Sequence, residues 1–175
     1  MSLVDGVWGN YQDVPGLKAV NVWGGQALAV SCSSPGNCTV GGNYVDDTRT
    51  YQTYVVNQTN GIWSTFQAIP GLTVESNVQS LSCSSPGNCT IGGMYYTSGG
   101  WSGYAATQTN GVWGNLTGMG LNVSQVSCTS AGNCTIGGTY KTGTRYDGFI
   151  STQTNGIWGG VTDVLGLVNA NTGRN

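Results

Sequence analysis

Ser31-Cys32-Ser33-Ser34-Pro35-Gly36-Asn37-Cys38-Thr39 is the stretch that decides the fold, because the same string returns at residues 82–90. A third copy at residues 127–135 differs only in Thr129, which replaces Ser33 and Ser84, and Ala131, which replaces Pro35 and Pro86. Each copy continues into Gly-Gly-x-Tyr, ending at Tyr44, Tyr95 and Tyr140, and then reaches Gln-Thr-Asn-Gly-(Ile/Val)-Trp, ending at Trp63, Trp113 and Trp158. A partial copy, Asp5-Gly6-Val7-Trp8, opens the chain. Cys83 follows Cys32 by 51 residues and Cys128 follows Cys83 by 45. A period of that length marks a repeat architecture in which each unit buries its apolar face against a neighbour.

Four strands fit one period. The first leads into the first cysteine, as in Asn77-Val78-Gln79-Ser80-Leu81-Ser82. Ser-Pro-Gly-Asn then turns the chain: Pro35 presets φ and Gly36 accepts the positive φ of a type II turn, and Gly132 preserves this where Ala131 replaces proline. The second strand is Cys-Thr-(Val/Ile)-Gly-Gly-x-Tyr. The third passes through Tyr54, Tyr104 and Phe149 to Gln-Thr. Asn60-Gly61, Asn110-Gly111 and Asn155-Gly156 predict two-residue hairpin turns. The fourth strand carries the Trp and is expected to end near a Gly-Leu pair (Leu17, Leu72, Leu121, Leu167). No segment shows helical periodicity of useful length. The reading is all-β: tandem four-stranded antiparallel units, β-propeller-like, with a β-trefoil as the alternative. The units run over about 11–65, 66–115 and 116–160 of one 1–175 array, with an extra N-terminal strand at 5–10.

The cysteine string, followed by Gly-Gly-x-Tyr and Thr-Asn-Gly-x-Trp, resembles a repeat family of secreted bacterial proteins, and the resemblance covers nearly the whole chain. It implies propeller blades. The Thr-x-Thr-Asn-Gly-x-Trp turn is also similar to the Asp-box hairpin of sialidase-type propellers. Thr59, Thr109 and Thr154 stand where that motif has Asp, and the glycine-to-Trp gap is one residue shorter. This second resemblance implies a hairpin between third and fourth strands and no activity. Three blades do not close a ring, since the smallest common propellers have four. Two expectations follow: a fragment of a longer array, or a homodimer that pools blades to complete a ring. Met1-Ser2-Leu3 runs straight into a repeat motif, so any leader is expected to lie upstream or to have been removed.

Composition narrows the function classes. Of 175 residues, 7% are charged, against roughly 25% in ordinary soluble domains. Six Trp and nine Tyr argue for a packed core, because disordered segments are poor in aromatics. Five Lys plus Arg and a net charge of −2 leave no cationic surface for nucleic acid or for an anionic membrane. No apolar run approaches the ~18 residues of a spanning helix, so no membrane insertion is expected.

The six cysteines fall as three equally spaced pairs: Cys32/Cys38, Cys83/Cys89 and Cys128/Cys134. Each pair brackets a turn within its own repeat, which favours three local disulfides and an oxidising compartment, secreted or cell-surface. Zinc thiolates are the competing reading. The spacing is wider than that of zinc ligands, and the chain has no His. Metal and cofactors are therefore expected to be absent.

Catalysis has little to draw on. Without His there is no imidazole base, and cysteines held in bridges supply no thiolate. The carboxylates are Asp5, Asp13, Asp46, Asp47, Glu75, Asp147 and Asp163; none recurs at a common strand end in the way a glycosidase pair would require. Asp46 and Asp47 point to opposite faces if extended, so a calcium ligand from this loop is an open alternative with little in the sequence to support it. A sialidase clamp needs three arginines, and only Arg49, Arg145 and Arg174 exist, two in variable loops and one at the chain end. The expectation is no enzyme.

The recurring Trp and Tyr read as packing residues, and Asn37, Asn88 and Asn133, in Asn-Cys-Thr sequons, read as turn residues. The variable part is the loop between second and third strands: residues 45–51, 96–101 and 141–146. It places an aromatic at the aligned position of every unit, Tyr51, Trp101 and Tyr146, with Arg49 and Arg145 beside the first and last. Aromatic rings beside short polar side chains suit the C–H face of a sugar. The expected function is a non-catalytic binding module for a glycan or a cell-surface protein, with a structural spacer array as the alternative. Exposure of the three aromatics would favour binding, and their packing against the sheet would favour the spacer.

Overall fold

The computed structural model describes residues 3, 4 and 7–164. Leu167 and Arg174, singled out above, lie outside that range, as does Asp5. The fold is all-β. Strands β1 (Leu3–Val4) and β2 (Val7–Trp8) form a short hairpin of their own. Among the described residues, the N-terminal strand expected at 5–10 joins no sheet of the array. A 3-10 turn, Leu17–Ala19, follows.

Three antiparallel sheets then succeed one another. The first holds β3 (Gly25–Ser34), β4 (Asn37–Val45), β5 (Tyr51–Thr59) and β6 (Ile62–Trp63) in sequential order. The second holds β7 (Ser76–Ser85), β8 (Asn88–Thr97), β9 (Gly100–Thr109) and β10 (Val112–Trp113), with β11 (Thr117–Gly118) also on β9. The third repeats the pattern with β12 (Asn122–Ser130), β13 (Asn133–Thr142), β14 (Arg145–Thr154), β15 (Ile157–Trp158) and β16 (Thr162–Asp163). Every sheet is a meander within one repeat, and no strand pairs across units among the described residues. A trefoil would share strands of different repeats in one barrel, so the blade arrangement holds.

Local chemistry sets the turns. Asn60 and Gly61 both have positive φ, 50° and 85°, as a type I′ hairpin requires. The Ser-Pro-Gly-Asn turn puts Gly36 at φ 73°. The two turns of a unit lie side by side: the Gly61 N–H donates to the Gly36 carbonyl at 2.9 Å, and the other units repeat this through Gly111 and Gly87, and Gly156 and Gly132. The asparagine of Gly-Asn-Cys joins them. Asn37 Nδ2 donates to Ser34 Oγ and the Pro35 carbonyl, while its Oδ1 accepts from Asn60 N–H. This is the turn role expected of the sequon asparagines. The cysteines behind the turn face each other across the ladder and form Cys32–Cys38, Cys83–Cys89 and Cys128–Cys134. All six are consumed, so no thiolate is left for zinc.

The fourth strand departs from the expected form. After Trp63 pairs with Gln58, the chain next pairs at Gln67 with Val55, spending one residue more than its partner strand. The same single-residue bulge follows Trp113 and Trp158. The Gly-Leu pair does not end this strand but caps the next unit's core: Leu72 is buried with Tyr104, Ala106 and Trp113.

Both glycines of Gly-Gly-x-Tyr answer close approaches. A Cβ on the second, Gly42, Gly93 or Gly138, would run into the backbone carbonyl of Gln26, Asn77 or Asn122, where the first strand bulges over it. A Cβ on the first would strike the following unit: Gly41 faces Ile91 and Val78, and Gly92 faces Val123 and Val126. Thus β7 packs on β3, β4 and β5, and β12 on β7, β8 and β9. The core between the first two units gathers Val55, Val78, Leu81, Ile91 and Tyr104, and a second core surrounds Val123, Val126, Ile136 and Phe149. Apolar burial of this kind, at about 25 cal/mol per Å², holds neighbouring units together. Among the described residues the array is not closed.

Candidate binding surface

Neighbouring first strands meet nearly in register: the Cys83 N–H donates to Ser31 Oγ, and the Cys128 N–H to Ser82 Oγ. Equivalent ends of the three sheets therefore lie along one rim of the array. The loops between second and third strands, which sequence picked out as variable, occupy that rim.

Tyr51, Trp101 and Tyr146 take equivalent positions on it, each paired across its hairpin: Tyr51 with Val45, Trp101 with Tyr96, Tyr146 with Lys141. They are 44%, 47% and 64% exposed, unlike the recurring Tyr and Trp of the motifs. Trp113 is buried and Trp63 and Trp158 pack on the cores of their units, as do Tyr44, Tyr95 and Tyr140. Tyr44 meets Phe66 edge-on, and burial, aided by the Asp46 charge, raises its phenol above the ordinary value. Tyr140 donates its hydroxyl to Asp163 Oδ1, and that bond raises its phenol.

In the first unit the loop is held by Asp46. Its Oδ1 accepts from Thr48 N–H, Thr48 Oγ1 and Thr50 N–H at 2.9, 2.6 and 3.0 Å, and its Oδ2 accepts from Gln52 Nε2. These bonds, the Thr48 hydroxyl foremost, lower its carboxyl below the ordinary value. Asp46 is a loop staple with its oxygens spoken for. Among the described residues no group of three or more acidic or cysteine side chains gathers to hold a metal ion. Arg49 sits at the loop tip with φ 64°, and its guanidinium lies over the Trp23 ring, 4.9 Å from the centroid.

Trp23, 60% exposed, joins this surface without having been picked out by sequence. Its N–H and that of Val22 both donate to the Val45 carbonyl, which fixes it beside the loop. Tyr96 was missed likewise. It is half exposed and meets Trp101 edge-to-face at 5.7 Å, so the second unit presents two rings at an angle. In the third unit Arg145 does not reach free into solvent. Its Nε and Nη2 donate to Asp147 Oδ2 at 3.1 and 3.0 Å, and Asp147 is itself buried.

The surface thus offers a ring or pair of rings per unit, flanked by Thr97, Ser98, Ser102, Thr142 and Thr144, with its two arginines committed to intramolecular partners. Such a surface can stack and hydrogen-bond a neutral ligand. Among the described residues it gathers no cluster of free charges for an anionic one. No family model matches the chain, and no curated protein matches it.

Proposed function

We propose that this chain is a non-catalytic, extracytosolic binding module that holds glycans along its loop rim. The observation that carries the reading is the recurrence of a half-exposed aromatic at one equivalent position per unit: Tyr51, Trp101 and Tyr146. An exposed ring costs solvation free energy, and scattered single ones need no explanation; three at the same register, beside hydroxyl side chains, match what a pyranose face stacks on. Three local disulfides fit an oxidising, extracellular setting. Repetition also suits a polymeric ligand, because weak sites on one rigid body bind by avidity.

The test is a glycan array probed with the oxidised protein, beside Trp101→Ala and the triple variant Tyr51→Ala/Trp101→Ala/Tyr146→Ala. Binding weakened in the first and abolished in the second supports the reading. Binding that survives the triple variant, or a blank array with folded protein, rejects it and leaves a protein ligand or a spacer role.

A further inference from the structure

The two ends of the array are unlike each other and fit each other. On the side of each unit that faces the next, units 1 and 2 bury Val55 and Ala105 completely, while the equivalent Ile150 of unit 3 is 44% exposed. Thr39 and Thr90, buried, lie against the disulfide sulfurs Cys89 and Cys134 of the following unit at 3.3 and 3.2 Å; the equivalent Thr135 is exposed. Gly41 and Gly92 are glycines because a neighbour's Val and Ile side chains leave no room for a Cβ. Gly137, the third of the set, has only the Phe149 carbonyl nearby among the described residues, at 3.6 Å, and nothing there from another unit. The socket is built a third time, and no other unit fills it among the described residues.

The opposite side tells the complementary story. Leu81 and Val126, each 8% exposed, enter the sockets of units 1 and 2; their equivalent in unit 1, Val30, is 65% exposed. Ala27, the counterpart of Val78 and Val123, is exposed as well. Beside them Val14, Pro15, Val40, Val56 and Trp63 line most of a hollow of about 150 Å³, with Gln12 and Asp13 at its polar side. Neither the socket residues Thr135, Gly137 and Ile150 nor the plug residues Ala27, Val30 and Val40 carry charge.

We infer that the unit 1 face of one copy docks into the unit 3 face of a second copy, repeating the chain's own unit-to-unit interface. The warrant is continuity with two interfaces already present in the molecule. Val30 takes the place of Val126 over Gly137, as Val126 sits over Gly92. The Cys32 N–H donates to Ser127 Oγ, as Cys83 and Cys128 donate to Ser31 and Ser82. Thr135 meets the Cys32–Cys38 bridge. This contact is head-to-tail, so it polymerises unless rotation closes it. Two chains close a ring of six units, within the four to eight blades that propellers use, whereas three chains would exceed it.

The experiment measures the mass of the oxidised full chain in solution by light scattering, up to about 100 µM. Val30→Glu alters a residue already exposed in the single chain, and Gly137→Lys adds a side chain where the backbone φ is ordinary and space is open. Both therefore leave the monomer folded, which circular dichroism verifies. Twice the 18.1 kDa chain mass is expected for the parent. The doubling is lost in each variant and recovered, at least in part, when the two are mixed, since the carboxylate introduced in one would then face the ammonium introduced in the other. A parent that stays monomeric overturns the inference. So does a dimer indifferent to both variants, a mixture that fails to recover, or an open-ended polymer.

Discussion

The backbone N–H of Asn60 donates to Oδ1 of Asn37 at 3.2 Å, so one side chain ties together the two turns at the same end of a sheet. Asn110 to Asn88 and Asn155 to Asn133, both 3.1 Å, repeat the bond. In the second unit Asn88 also donates to Ser85 Oγ and the Pro86 carbonyl. Asn88→Ala removes all three bonds at a site where water can partly replace them. The expected loss is about 1–2 kcal/mol in the denaturant midpoint analysis of the oxidised protein. An unchanged midpoint would mean that the turns hold their places without the clamp.

The glycines that face a neighbouring unit give a sharper contrast. A Cβ at Gly92 would stand 2.7 Å from Val123 and 2.9 Å from Val126, so Gly92→Ala should destabilise by about 1–3 kcal/mol through overpacking. Gly137→Ala, the same change in the last unit, should cost little at concentrations where the chain is monomeric. Equal losses at both positions would show that the glycine serves its own strand and not its neighbour.

Much of this was legible in the sequence because it is local. Asn-Gly and Pro-Gly set their own φ, the cysteine pair brackets its own turn, and the period announces the unit. What lay beyond reach depends on residues far apart in the chain. The fourth-strand bulge has no marker at a fixed place: Ser64, Gly114 and Gly159 follow the Trp, but no common residue opens the strand again at Gln67, Thr117 and Thr162. The Gly-Leu pair reads as a strand end in sequence and turns out to cap the following core, a long-range packing choice. At the rim, aligning the repeats found Tyr51, Trp101 and Tyr146. It could not find Trp23, whose counterparts in the other units are Val74 and Met119, nor the partners that occupy Arg49 and Arg145.

Tyr104 sits wholly inside the core between units 1 and 2, and its hydroxyl has no hydrogen-bond partner among the described residues. Burial drives its phenol well above the ordinary value. The third unit has Phe149 at this position. Tyr104→Phe should therefore leave stability unchanged or raise it by about 1 kcal/mol, because an unpaired buried hydroxyl is a cost. Thermal unfolding that falls by several degrees would reveal a partner for the hydroxyl, with buried Thr53 the first candidate.

The bridge of the middle unit closes a short loop, and Cys89 is buried against Thr39 of the unit before it. The double variant Cys83→Ala/Cys89→Ala should lose about 2 kcal/mol from chain entropy alone, with a further loss from the emptied volume at Cys89. Chemical denaturation of the variant against the parent reads the sum. A loss below about 1 kcal/mol would show that the Asn88 clamp and the ladder fix the turn unaided.

Acid should loosen the first loop before it loosens the sheets. Asp46 is ionised when it accepts the Thr48 and Thr50 bonds, and those bonds hold its carboxyl below the ordinary carboxylate value of about 3.9. A carboxyl depressed in the folded state adds stability that is present above the unfolded value and is lost as pH falls through the folded one. The Thr48 and Thr50 amide resonances should therefore shift together with a midpoint below about 3.9, while core amides stay in place. Asp46→Asn keeps one acceptor oxygen and removes the charge, so it should flatten that titration and weaken the hold on Arg49 over Trp23. A midpoint at or above the ordinary value would mean that the Thr48 hydroxyl does not engage the carboxylate in solution. The loop carrying Tyr51 would then be free to rearrange at neutral pH, and the first unit's ring would not be presented in a fixed geometry.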